Sequence, residues 1–302
     1  MKLNLDCIPC FQRQALETSR IARIDTKTQE MLLRKIMEEL IDAEWNDNSW
    51  SLALRVHQLV RRITGVKDPY REIKQKHNQM LLDLYPLLKQ RINSEKEPLF
   101  AAVKLSIGGN IIDFGPPENK FNLKAILEGV LEKKLAINDY QAFKKRLEQS
   151  KKILLFADNA GEIVLDKLLL ETILNTKDIE RISLVVKGGP FINDATLEDV
   201  KQVDLTSLDN LKVLTLSNGD PQSGVKYNSE TITTWMKEHD MTICKGQGNY
   251  EALDNRKDTF FLLIAKCPLV ASHLGTGVGN FILKYNPRRE RSKPLLLTKR
   301  SV

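Results

Sequence analysis

From Cys10 to about Ile92, apolar residues recur at spacings of three and four, as at Leu32, Ile36, Leu40 and Ile41, the period of one helix face. No alternating strand pattern interrupts this stretch. Gly65 and the Asp68-Pro69-Tyr70 step do, because proline cannot continue a helix and restricts the residue before it. They predict boundaries between helices of one bundle. After Pro98 short apolar runs take over: Ile153 to Ala157, Ile182 to Val186, Val213 to Leu216, Met241 to Cys244 and, more weakly, Leu295 to Leu297. Each alternates with a helical segment, which predicts βαβ units, a mostly parallel sheet and helices on both of its faces. Phe260 to Lys266 fits a strand or a helix end equally, since so short a run has no arbitrating period. The expected class is therefore α/β, with an all-helical region over residues 1–98 and an α/β/α domain over 99–302.

The strand ends carry the polar clusters that matter. Asp158-Asn159-Ala160-Gly161-Glu162 follows the first run directly and precedes a helical pattern from Ile163 to Leu174. Open α/β sheets bind ligands at such a handover, and adjacent hard oxygen donors, the Asp158 carboxylate and the Asn159 carbonyl, suit a divalent cation better than a dinucleotide. The second cluster runs from Lys187-Gly188-Gly189-Pro190 to Asn193-Asp194-Ala195-Thr196, where Asn193 or Asp194 would also serve as an ordinary cap of the next helix. The third, Lys245-Gly246-Gln247-Gly248-Asn249, places a lysine and bare backbone N–H groups at a helix start, a cradle for phosphate without Walker A spacing. A fourth segment sets Asn110 and Asp113 three apart in small and apolar surroundings, which fits either a paired carboxylate or a plain helix-ending turn.

Composition narrows the class. The chain has 302 residues, 42% hydrophobic and 28% charged, enough to bury a full core. No apolar stretch approaches the roughly 18 residues of a membrane span, and Met1 to Asp6 lack a signal-peptide pattern. Four cysteines in this length make no disulfide framework, so a reducing, cytoplasmic setting is expected. The net charge is +7, but seven Lys and Arg against one acid lie from Lys284 onward, which locates six of those charges in a tail. A nucleic-acid footprint would be a stripe on the body, so neither nucleic acid nor membrane is an expected partner. Cys7-Ile8-Pro9-Cys10 opens the first helix; it suits half a soft-metal site, a redox pair whose thiols the helix end would acidify, or a buried pair. The four histidines, His57, His77, His239 and His273, show no ligand spacing.

Taken in order, Cys7-Ile8-Pro9-Cys10-Phe11, Asp68-Pro69-Tyr70, Gly109-Asn110-Ile111-Ile112-Asp113, Asp158, Asn193-Asp194 and Lys245 resemble the metal-dependent damage-control phosphatase family, domain of unknown function 89, in its prokaryotic branch with an N-terminal CxxC. The resemblance implies a helical region packed on a Rossmann-like α/β/α domain, and a phosphatase acting on small phosphorylated metabolites, sugar phosphates or damaged phosphometabolites, with Mn, Co, Ni or Mg. It implies Asp158, Asn159 and Asp194 as metal ligands and Lys245 as the phosphate-contacting lysine. Chemistry then suggests metal-activated water as nucleophile, with Glu162, Asn110, Asp113, Asn193, Gly246 and Asn249 around the substrate. Two other readings stand beside it. One is an S-adenosylmethionine-dependent carboxyl methyltransferase, weakened by the missing glycine-rich turn after Ala157; the other is a non-catalytic binding protein using the basic tail. The oligomeric state has no signature in the sequence.

Overall fold

The computed structural model describes residues 1–109, 129–208, 210–227 and 229–288. Asn110 and Asp113, and the expected strand Leu295 to Leu297, lie outside the described residues.

Three helices, α1 (Cys7–Ile21), α2 (Thr26–Ile41) and α3 (Ser49–Thr64), enclose a core of their own around Phe11, Ala15, Leu32, Ile36, Leu52 and Val56. Side-chain caps start α2 and α3, and a glycine ends α3. Asp25 accepts from Thr28 N at 3.0 Å, Asn48 accepts from Trp50 N at 2.9 Å, and Gly65 ends α3 at φ 70°. Two further helices, α4 (Arg71–Asn93) and α5 (Pro98–Gly108), face the other way. They carry Leu81, Leu88, Ile92 and Val103 into the larger core beneath the sheet.

The sheet has seven strands among the described residues: β1 (Leu135–Asn138), β2 (Lys152–Phe156), β3 (Arg181–Lys187), β4 (Leu211–Leu216), β5 (Met241–Lys245), β6 (Thr259–Ile264) and β7 (Phe281–Asn286). Their order is β1-β7-β6-β5-β2-β3-β4, and every neighbouring pair is parallel except β6 with β7. Period-two alternation sends successive side chains to opposite faces. Ile153 and Leu155 enter the core shared with α4, α5 and α7 (Glu162–Thr176), whereas Leu154 and Phe156 enter the one shared with α10 (Gly246–Leu253) and α11 (Pro268–Leu274). The remaining helices are α6 (Tyr140–Glu148), α8 (Leu197–Gln202) and α9 (Glu230–Lys237). The α/β/α expectation is met. The ambiguous run after Asp258 is the fully buried β6, and β7 pairs along all six of its residues with β6.

From β2 the chain winds outward through β3 and β4, then returns to place β5 on the other side of β2 and β6 beyond it. The β2–β5 boundary is the point where the order reverses. The loops that leave β2 and β5 there part toward opposite faces and open a crevice between them. Among the described residues, no helix is long and apolar enough to cross a membrane.

Candidate functional site

The loop after β3 folds back on the loop after β2. Ala195 N donates to Asp158 O at 2.8 Å, Ala160 N donates to Asn193 O at 2.9 Å, and Asn159 pairs with Asp194 as an isolated antiparallel bridge. Backbone bonds thus bring Asp158, Asn159, Asn193 and Asp194 to one spot, although 35 residues separate the first pair from the second in the chain. The turn that reverses the β3 loop includes Ile192 at φ 45°, a left-handed conformation that a β-branched residue adopts only when its surroundings enforce it. Asp194 is not the helix cap. Thr196 takes that place, its N and Oγ1 both donating to Asp199 Oδ2 at 2.8 and 2.7 Å.

The third strand end approaches from the β5 side. Gly246 stands at φ 74°, and a Cβ there would fall 1.8 Å from Asp158 Oδ2. Only glycine lets this backbone pass so close to the carboxylate. Asn249, one turn into α10, donates to Ala157 O at 2.9 Å and Lys245 O at 2.7 Å and accepts from Tyr227 Oη at 2.7 Å. Its amide ties the ends of β2 and β5 together. Asn78 of α4 ties the loop after β2 to the first turn of α8, accepting from Gly161 N at 2.6 Å and donating to Asp199 Oδ1 at 2.9 Å.

Two lysines sit close by, and they differ in what surrounds them. Lys187, the last residue of β3, points its ammonium at Asp194 Oδ2 from 3.5 Å and donates to Tyr227 Oη at 2.7 Å. The rings of Trp50 and Tyr227 flank it at 4.2 and 4.4 Å from their centroids, so aromatic faces supply much of the solvation it has lost. Burial lowers its pKa, against the opposing pull of Asp194 and Asp158, and both carboxylates help burial to raise that of Tyr227. One ammonium and one phenol therefore feel both carboxylates at once.

Lys245, expected to contact phosphate, is placed elsewhere. It is 0% exposed and donates to Ser106 O at 2.9 Å, Glu162 Oε1 at 2.6 Å and Asp166 Oδ1 at 2.6 Å. Three acceptors use its three N–H donors. Glu162, expected beside the substrate, is drawn into the same buried cluster. Burial works against the lysine's charge, yet Asp166 and Glu162 hold it above the ordinary range, while burial pushes Asp166 up to about 6. The reason is electrostatic: two carboxylates pointing inward from α7 need a cation, and Lys245 supplies it.

Above the paired loops lies a cavity of about 950 Å³, with Asp158, Asn159, Asn193, Asp194 and Asn249 at its floor and α1, α3, α4 and α10 among its walls. The helical region is therefore part of the site. Trp50 and Tyr227 were not singled out by the sequence, and Lys187 stood there only as the first residue of the second cluster, with no role given; a lysine ending a buried strand was the available signal. Cys7 and Cys10 lie in the first turn of α1, unbridged, and burial raises both thiols, the reverse of the acidification expected from the helix start. Among the described residues, no three His, Cys, Asp or Glu side chains gather as a metal site.

The donor chemistry of the floor fits a hard divalent cation: two carboxylates and an amide oxygen. Both groups facing the Asn159 amide nitrogen, Asp158 Oδ2 at 2.8 Å and Glu162 Oε2 at 3.4 Å, are acceptors, which fixes the amide with its carbonyl on the opposite side.

Comparison with known proteins agrees with this architecture. An uncharacterized protein of Methanocaldococcus jannaschii is 32% identical over 295 residues, covering 94% of this chain and 95% of its own. A damage-control phosphatase of Pyrococcus horikoshii is 32% identical over 296 residues, covering 95% and 99%. The crystal structure of a DUF89 family protein from that organism superposes with a TM-score of 0.83 at 28% identity, again covering 95% and 99%. The model of the damage-control phosphatase ARMT1-like domain matches residues 3–282, and the chain belongs to that family.

Proposed function

We propose that the chain is a phosphatase of small phosphorylated metabolites that works with a divalent cation such as Mn, Co, Ni or Mg. Its relatives named damage-control phosphatases support the phosphatase class. The observation that carries the metal reading is the backbone pairing that joins Asp158 and Asn159 to Asp194 at the floor of the cavity. When bound, such an ion would polarise a phosphoryl oxygen and lower the pKa of a water. Asp158, Asn159 and Asp194 would hold it. Lys187 orients the Asp194 carboxylate and offsets part of the negative charge that would repel a phosphate ester. The start of α10, beside Asp158, adds its positive end to the same region. The methyltransferase and non-catalytic readings gain no supporting observation.

The test is hydrolysis of p-nitrophenyl phosphate by the chelated full-length protein, with each divalent ion returned in turn. Phosphate release that returns with metal is expected. Release unaffected by chelation would remove the metal from the proposal, and no release with any ion would remove the phosphatase.

Gly246→Ala probes the geometry directly. A methyl group 1.8 Å from Asp158 Oδ2 forces the carboxylate aside, and misplacement of about 1 Å costs on the order of a hundredfold in rate. The left-handed backbone adds about 1–2 kcal/mol of destabilisation. Steady-state rates and a urea midpoint would measure both; unchanged turnover would mean that the Asp158 position does not matter.

A further inference from the structure

The cavity above the proposed phosphatase floor is larger than a sugar phosphate needs, and much of the surface it presents is apolar. Its volume of about 950 Å³ is at the upper end of the ~300–1,000 Å³ that enclose drug-sized ligands, and the surface it presents is mostly apolar. Ile21, Trp50, Ala53, Ile73 and Ile192, all partly exposed, form the wall above the carboxylates.

Several polar side chains of that wall have hydrogen-bond partners of their own, while Glu17, Arg20, His77 and Lys266 line the cavity as well. Glu251 accepts from Ser49 Oγ at 2.7 Å and Gln247 Nε2 at 2.9 Å, and Gln247 Oε1 accepts from Lys266 N at 2.8 Å. Gln14 places its Oε1 3.2 Å from His57 Nε2 and its amide nitrogen 3.4 Å from Cys10 Sγ. Tyr70 Oη pairs with Thr18 Oγ1 at 3.1 Å. A polyhydroxylated body seated against Trp50, Ala53, Ile73 and Ile192 would give up its water for few new hydrogen bonds, a net loss for each hydroxyl buried there. An apolar body gives up nothing and covers the wall.

We propose that the substrate is a phosphate monoester whose alcohol part is extended and largely apolar, its phosphate on the Asp158–Asp194 floor and its body against α1, α3 and α4. This inference rests on the phosphatase reading. It makes the helical region the specificity element of the enzyme.

The experiment compares ethyl, butyl, hexyl and octyl phosphate with glucose 6-phosphate on the metal-loaded full-length protein, with p-nitrophenyl phosphate as the control for phosphatase activity. Simple alkyl leaving groups have nearly constant reactivity, so differences in kcat/KM report the body. We expect a rise of roughly three- to fourfold per buried methylene until the wall is covered, and octyl phosphate well ahead of glucose 6-phosphate. Ile73→Asn should lower the octyl-to-ethyl ratio. Calorimetric binding of octylphosphonate, expected to be tighter than that of ethylphosphonate, reads the same wall without turnover. Active enzyme with no chain-length gain, or with glucose 6-phosphate preferred, would overturn the inference and leave the phosphatase standing. Failure to hydrolyse p-nitrophenyl phosphate with any ion would remove the phosphatase reading and this inference with it.

Discussion

Asp158→Ala is expected to lower metal-dependent turnover by well over a hundredfold, because even partners behind a metal ligand are worth about 10–100-fold. The fold should not suffer. The side chain is only partly buried and faces the cavity, and the bond that pairs the loops uses the Asp158 carbonyl, which alanine keeps. Losing one of two neighbouring carboxylates also relieves repulsion, so the metal-free variant should melt at or above the parent's temperature while losing the rise that added metal produces. Thermal melts with and without each ion, beside the rate assay, check both halves. Parent-like turnover or an unchanged metal-induced shift would take Asp158 out of the ligand set. Asp194→Ala is a less clean experiment, since it also strips Lys187 of the carboxylate 3.5 Å away.

Lys245→Ala should act through stability. It leaves Glu162 and Asp166 buried without a cation, and breaking a buried ion pair from one side costs about 3–5 kcal/mol. Asp166 already has an oxygen, Oδ2, with no hydrogen-bond partner, so the cluster has little capacity to absorb the loss. Replacing all three groups, as Lys245→Met with Glu162→Leu and Asp166→Leu, should recover most of the stability because no charge is left behind. Urea midpoints of the two variants decide the matter. A single variant within about 0.5 kcal/mol of the parent, with a raised KM instead, would return Lys245 to the phosphate site expected from sequence.

The contrast between the two lysines shows where sequence reading stopped. Strands β2, β3 and β5 announced themselves as short, mostly apolar runs because both of their faces are covered. The same runs located the loops, and shared crevice geometry joined Asp158 to Asp194. Strand β1, four residues of alternating burial at an edge, and β7, half of it only partly buried, carried no such run and were not foreseen. Whether a lysine at a strand end turns toward the crevice or toward the helix layer depends on a partner distant in sequence. Asp166 and Glu162 on α7 drew Lys245 inward, while Trp50, from the helical region, helped turn Lys187 toward the floor. Apolar periodicity cannot carry that information. The same limit hid the role of α1, α3 and α4 as walls, since helical spacing shows which side is apolar but not that part of it faces a cavity.

The loops after β2 and β3 form a miniature antiparallel ladder, with peptide-to-peptide bonds of 2.8 and 2.9 Å on either side of the Asn159–Asp194 pair. The span between the two carboxylate stems is thus set by main chain, like the jaws of a fixed-gauge spanner. Side chains can still rotate, but the gauge changes only if peptide bonds part. Discrimination among ions of different radius would then be a property of the ladder, and substitutions that loosen it without touching a ligand should broaden the range of ions that sustain activity.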